Sequence, residues 1–259
     1  MIPPPRHVLA AYGLSERPLR MAGGRMSGAW QVGEAVLKRA GDAAEQVWRC
    51  EVYLDWPRDA AVRVPRPLPD QDGRWVVDGW SAHVRVPGKT ASVVDDVQWF
   101  RLACDGFLDV TSDLAKPAFI DTRDDPWTTA DRMLAAGDEP PASVGEFVGD
   151  CLRDDGVVSG QPQVVHADLT GNVLRDGEVA GVIDWPAQWW PRELALAVVV
   201  ADALCWQGAG KTLLDEWHDV GTAALRRALA WRAVTRGLLD PAPDLSRERA
   251  TLAIVERYR

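Results

Sequence analysis

His166, Asp168, Asn172 and, twelve residues further on, Asp184 are the residues whose types and spacing could do chemistry. They sit in Val164-Val165-His166-Ala167-Asp168-Leu169-Thr170-Gly171-Asn172-Val173-Leu174 and in Val182-Ile183-Asp184-Trp185. A carboxylate can orient an attacking hydroxyl and take its proton. Asn and Asp oxygens are hard ligands that suit Mg²⁺ against phosphates. Phosphoryl transfer needs little more, because positioning and charge stabilisation do most of the work. Asn172-Val173-Leu174, a turn at Asp176-Gly177 and Val179–Ile183 spell a hairpin. It would bring Asn172, on the loop before one strand, close to Asp184, at the end of the next. A His-x-Asp pair alone often means only a buried His beside a turn Asp. The added amide, the second carboxylate and the hairpin favour the chemical reading. Asn172 is also the only Asn in the chain, which suggests that its amide is kept for a purpose.

His166-Ala167-Asp168 followed by Asn172 resembles the H-x-D…N catalytic loop of the aminoglycoside phosphotransferase and choline kinase superfamily of protein-kinase-like enzymes. Val182-Ile183-Asp184-Trp185 is similar to that superfamily's metal-binding segment, and Pro191-Arg192-Glu193-Leu194-Ala195 to the stretch that opens the next helix. The resemblance implies that Asp168 is the catalytic base, that Asn172 and Asp184 are Mg²⁺ ligands, and that His166 braces the loop. The kinase pattern places Asn five residues after Asp; here the interval is four. Either the loop tightens at Gly171, since glycine reaches conformations closed to other residues, or the second metal contact differs. The short interval keeps open an alternative, a nucleotide-binding pseudokinase acting as an interaction module.

In the N-terminal part Lys38 follows Val36-Leu37 behind a glycine-rich stretch, and resembles the strand lysine that grips the α and β phosphates of ATP. Glu45 and Glu51, on the helix that follows, are both candidates to hold it; Glu51 is favoured for its longer reach from Lys38 and its place before Val52 and Leu54. Gly23, Gly24 and Gly28 would let backbone approach phosphate, although the stretch does not match G-x-G-x-x-G. Val84–Val86, just before Pro87-Gly88, is the expected hinge binding adenine through backbone groups. Trp189 and Trp190, directly after the metal segment, are candidates to stack on a sugar or a cation.

Residues 19–86 read as a small sheet with one helix over Ala43–Trp56. After Pro87-Gly88 the pattern is mainly helical: Val93–Leu114, Val144–Leu152, Leu194–Trp206, Thr212–Trp217, Thr222–Thr235 and Leu245–Tyr258, with the hairpin embedded. The expected fold is α+β, a two-lobed protein-kinase-like architecture. Residues 1–86 would form a small β-rich nucleotide-binding lobe, and 87–259 a larger helical catalytic and substrate lobe. The family resemblance covers about residues 19–206.

The 259 residues carry a formal charge of -9, which disfavours nucleic acid as a partner, since backbone affinity comes from clustered Lys and Arg. It tolerates or attracts a cationic acceptor such as an amino sugar. The superfamily phosphorylates aminoglycosides, choline, homoserine and other alcohols, so the implied activity is ATP- and Mg²⁺-dependent transfer to a small-molecule hydroxyl. Cys50, Cys104, Cys151 and Cys205 form no C-x-x-C pair, and reduced thiols are expected. The first residues contain no apolar targeting core. The run Leu194–Ala201 is far short of the ~20 residues of a membrane span. A cytoplasmic location is expected. Gly208-Ala209-Gly210-Lys211-Thr212 imitates the end of a Walker A loop, but that motif needs Gly where Cys205 stands, and a helix–helix turn is expected instead.

Overall fold

In a computed structural model of the chain, which describes residues 2–21, 28–153 and 156–258, Gly33 and Glu34 reverse the backbone as a two-residue hairpin loop. Val32 and Ala35 then face each other across it. This hairpin seeds the sheet of the first compact unit, residues 1–89 together with 174–183. Helix α1 (Arg6–Ala11) precedes β1 (Leu19–Arg20), β2 (Trp30–Val32) and β3 (Ala35–Arg39). Helix α2 (Ala43–Leu54) then leads through β4 (Val62–Arg63), β5 (Pro67–Leu68) and β6 (Val76–Val77) to β7 (Trp80–Val84) and β8 (Lys89–Thr90). The strands order as β1-β2-β3-β7-β5, with β6 also on β7. One face of this sheet closes over Val8 and Leu9 of α1 through Val32, Ala35, Leu37, Trp80 and Ala82.

Alternation along β3 decides where its lysine points. Leu37 belongs to the core against α1, so Val36 and Lys38 face the other way. Val36 lies opposite His83, and Lys38 opposite Ser81, on β7. His83 Nε2 lies 3.3 Å from Gln46 Nε2 of α2. Lys38 therefore shares the sheet face over which α2 lies. Asp42 starts that helix, its carboxylate accepting the Glu45 N–H at 2.8 Å.

The second compact unit holds residues 90–173 and 184–259. It contains α3 (Val97–Thr111), α4 (Phe119–Thr122), α5 (Pro126–Ala136), α6 (Gly145–Leu152) and β9 (Pro162–His166). The hairpin strands β10 (Val173–Asp176) and β11 (Val179–Val182) then run with the first unit, in a sheet ordered β4-β11-β10-β8. Gly88 is required beside them. Its φ is +121°, and a Cβ there would meet the Arg175 carbonyl oxygen at 2.8 Å. The chain re-enters the second unit at Asp184 and continues through β12 (Ala187–Pro191), α7 (Arg192–Trp206), α8 (Thr212–Glu216), α9 (Thr222–Leu239) and α10 (Ser246–Arg257).

Every residue of α7 from Leu194 to Cys205 is buried, as a helix apolar on all sides must be. The segment Gly208–Lys211 joins α7 to α8 with no strand before it, so the Walker-like glycines are a helix–helix turn. Helix α5 and strand β12 are among the elements that went unanticipated, as are the short α4 and β8. Helix α5 is only weakly apolar; it is set by Asp125, whose carboxylate accepts the Trp127 and Thr128 N–H groups at 2.9 Å, with Pro126 in the first turn. Strand β12 pairs antiparallel with β9 across the whole stretch from Ala187–His166 to Pro191–Pro162. Among the described residues no helix is long and apolar enough to cross a membrane.

All four cysteines are free and buried. Burial pushes the Cys151 and Cys205 thiols up to about 12, and that of Cys104 higher still. With thiolate suppressed and access closed, a maleimide at neutral pH is expected to leave the native protein unmodified and to label all four cysteines after unfolding, as read by mass spectrometry. Rapid labelling of the folded chain would contradict this.

Candidate active site

His166 ends β9 fully buried, and its ring meets Phe107 of α3 edge-on, with centroids 5.5 Å apart. The same Phe107 takes Trp185 edge-on at 5.0 Å. Phe107 thus clamps the end of β9 and the segment after Asp184 to one helix. Trp185 Nε1 donates to the Val165 carbonyl at 2.9 Å, and the Ala167 N–H donates to the Pro186 carbonyl at 3.2 Å. With Ala187 paired to His166, these bonds bind the loop that starts at Ala167 to the segment that starts at Asp184. Rigid, buried groups support both.

The loop then closes on itself. The Asp168 N–H donates to His166 Nδ1 at 3.1 Å, which leaves the imidazole proton on Nε2 in the neutral ring. The Asn172 N–H donates to the Leu169 carbonyl at 2.9 Å, making a tight turn whose third residue is Gly171. That position has φ of +88° and open space where a side chain would be; positive φ there is what a turn of this kind demands of its third residue. The turn absorbs the short interval. It points the Asn172 amide nitrogen back at the Asp168 carbonyl, 2.6 Å away, and at Oδ2 of the same residue, 3.3 Å away. Asn172 Oδ1 is the amide oxygen left over from these contacts.

Asp184 has φ of +52°, one of two non-glycine residues in the left-handed region among those described. Asp tolerates that region better than most side chains, and non-glycine residues held there cluster at functional sites. It is half-buried, immediately before the fully buried Trp185.

Two residues that sequence reasoning missed complete the centre. Arg232 of α9 donates through Nη2 to Asp168 Oδ1 at 2.7 Å. It also forks onto Asp202 of α7, through Nε to Oδ1 at 2.9 Å and through Nη2 to Oδ2. Burial pushes the Asp202 carboxyl up to about 6, against the pull of Arg232. Asp202 is the lone charge in the apolar run Leu194–Cys205, and a charge in such a helix requires a partner. That was the available signal.

The nucleotide-side candidates fall in the first unit. Lys38 is half-buried on the α2 side of the sheet. Of the two glutamates on α2, Glu45 is buried at 7% exposure, while Glu51 is exposed. The preference for Glu51 is therefore corrected. The helix turns Glu45, Gln46, Cys50 and Tyr53 inward, and Glu51 falls on the outer face at this periodicity. Glu45 Oε1 also accepts from Arg49 Nη2 at 3.0 Å. The Val84 N–H is committed to the Arg66 carbonyl at 2.8 Å, so any adenine contact there would fall to the Val84 carbonyl or to Val86. Val86 packs where a side chain on Gly181 would stand. Gly23 and Gly24 lie outside the described residues; Gly28 is in the segment just before β2. Trp190 is buried, with its ring edge-on to Trp231 at 4.9 Å, which makes it a core residue and corrects its place as a stacking platform. Trp189 is half-buried.

No family model matches the chain, and no curated protein matches it. Solved structures do. An aminoglycoside phosphotransferase from Alicyclobacillus acidocaldarius superposes with a TM-score of 0.60 at 17% identity, over 100% of this chain and 95% of that one. The aminoglycoside phosphotransferase APH(4)-Ia, in a ternary complex with AMP-PNP and hygromycin B, gives 0.62 at 15% identity, over 96% of each chain. A choline/ethanolamine kinase family protein from Mesorhizobium loti gives 0.56 at 17% identity, over 95% of this chain and 89% of that one. These structures come from the superfamily that the catalytic-loop motif resembles. They show the fold: protein-kinase-like α+β, with a β-rich N-terminal part and a helical C-terminal part.

Proposed function

We propose that the chain is an ATP- and Mg²⁺-dependent phosphotransferase acting on a hydroxyl of a small molecule. The observation that carries this reading is the Asp168 carboxylate. It is partly open to solvent and held by Arg232, with the Asn172 amide folded onto its loop and the Asp184 segment bonded alongside.

The residues fit the divalent cation by type. Asn172 Oδ1 and the Asp184 carboxylate are hard oxygen donors. Among the described residues no group of three or more His, Cys, Asp or Glu is gathered for a metal. Mg²⁺ usually takes one or two protein oxygens and fills its shell with water and phosphate. When bound, the ion would offset the charge that develops on the transferring phosphoryl group. Lys38 would grip the phosphates, with Glu45 as the carboxylate on the buried face of α2. Asp168 would orient the acceptor hydroxyl through Oδ2 and receive its proton as the new oxygen–phosphorus bond forms and the bond to the leaving ADP oxygen breaks.

The acceptor class is supported by similar structures solved in complex with hygromycin B, or with streptomycin and ATP, and by the net charge of -9, which favours a cationic amino sugar or similar alcohol. The test is an ATP-consumption screen over aminoglycosides, amino sugars, choline and homoserine, with product mass as the readout. Turnover with one class, adding one phosphoryl group, is the expected outcome. Tight MgATP binding with no transfer to any of these or to water would replace the reading with a nucleotide-binding module.

A further inference from the structure

We propose that Arg232 is a positioning residue for the Asp168 carboxylate, with Asp202 as its anchor; this rests on the phosphotransferase reading above. The guanidinium is nearly enclosed, its side chain 11% exposed, and Asp202 is at 4%. The two form a fork in which two N–H groups meet two carboxylate oxygens, a planar geometry that fixes orientation as well as distance. The guanidinium carbon also sits 4.8 Å from the centroid of the Trp231 ring. That ring is itself held by Nε1 donating to the Trp127 carbonyl at 3.0 Å and by its edge contact with Trp190. The plane of the guanidinium is therefore set by groups that belong to the core.

Asp202 alone balances the charge of Arg232, so the core has no electrostatic need of Asp168. Asp168 is 40% exposed, and water could satisfy its oxygens. Instead, the outer N–H of a buried and immobilised arginine reaches Oδ1 at 2.7 Å, while Asn172 Nδ2 lies 3.3 Å from Oδ2. One oxygen is tied to the core. The other faces the loop, with lone pairs left for a hydroxyl. These two contacts restrain the plane of the Asp168 carboxylate. Catalytic geometry tolerates little slack, and a misplacement of ~1 Å can cost about a hundredfold in rate. A side chain rooted in α7 and α9 holds position better than one supported by its own loop.

The test uses the full chain in three variants. Arg232→Lys keeps the charge but cannot fork over two carboxylates. Arg232→Met combined with Asp202→Leu removes the buried pair without leaving a lone charge, a replacement that buried pairs often tolerate. Arg232→Ala opens a space that free guanidinium can enter. The measurements are ADP release from MgATP with water as acceptor, transfer to any alcohol the screen returns, KM for MgATP and the melting midpoint. The expected result is a kcat lowered about 10- to 100-fold in the Lys and Met/Leu variants, KM for MgATP within twofold, and partial recovery of Arg232→Ala on adding millimolar guanidinium. Wild-type kcat in either folded variant overturns the proposal. So does a loss of kcat that tracks the loss of melting midpoint and is not rescued by guanidinium. Asp168→Asn separates the two levels: if it retains wild-type kcat, the assignment of Asp168 as the base fails and Arg232 has nothing to position, whereas absence of transfer by the unchanged protein to water or any alcohol of the screen is the failure of the phosphotransferase reading. If Asp168→Asn is inactive while Arg232→Lys is unchanged, only the role of Arg232 fails.

Discussion

Asp168→Asn is expected to lower kcat for phosphoryl transfer by about 10²- to 10⁴-fold, the range over which a positioned base contributes, and to leave MgATP affinity within a few-fold. The substitution preserves shape. The amide oxygen can still accept from Arg232 Nη2, which lies 2.7 Å from Oδ1, and Asp202 still balances the arginine. The loop turn is closed by backbone, through the Asn172 N–H and the Leu169 carbonyl, so its path does not depend on the lost charge. What disappears is the acceptor for the hydroxyl proton. Because the change is confined to the reacting end of Asp168, kcat should fall with little movement in KM for MgATP, the signature of an interaction needed in the transition state. Steady-state ADP release gives kcat and KM, and calorimetry with MgATP gives the affinity. Transfer retained above a tenth of the wild-type rate would remove Asp168 from the role of base.

How far this site could be read from the sequence depended on how local each contact is. The loop, the hairpin and the glycine turn are short-range features, and the residue types announce them: Gly171 at the position that takes positive φ, and Asp176-Gly177 between two β-prone runs. The strand that holds Lys38 and the main helices follow from periodicity for the same reason. The misses are all long-range or masked by composition. Arg232 lies 64 residues from Asp168, and nothing in its own stretch singles it out among the other arginines of α9. Glu45 and Glu51 differ only in the face of α2 they occupy, which is decided by which apolar neighbours reach the sheet: Cys50 and Tyr53 do, with Glu45 in register. Strand β12 hides in a tryptophan-bearing stretch whose partner, β9, lies more than twenty residues upstream, and α5 hides behind modest apolarity with only its Asp125-Pro126 start to reveal it. Trp190 reads as a free aromatic until Trp231 is brought against it.

The same dependence on distant packing makes Trp185 a side chain whose loss should cost heavily in stability. It is fully buried, its ring meets Phe107 at 5.0 Å, and its indole N–H satisfies the Val165 carbonyl at 2.9 Å. Trp185→Ala deletes the ring, leaves a cavity against Phe107 and strands that carbonyl, for an expected loss of about 3–5 kcal/mol. For a chain of this size that is a fall in melting midpoint of roughly 6–20 °C. Trp185→Phe separates the two contributions: a ring still meets Phe107, but the carbonyl loses its donor, so about 1–3 kcal/mol is expected. Circular dichroism melts of the two variants check the order. Equal midpoints for Trp185→Ala and the unchanged protein would mean that Phe107 is not the clamp described. The adjacent Asp184 adds a second readout. Its backbone is in the left-handed region, at φ of +52°, which surrounding structure has to hold in place. Trp185 is the neighbouring residue tied into that structure. Even in the fraction of Trp185→Ala that stays folded at low temperature, kcat should therefore fall, whereas Trp185→Phe should lose stability with a much smaller change in rate.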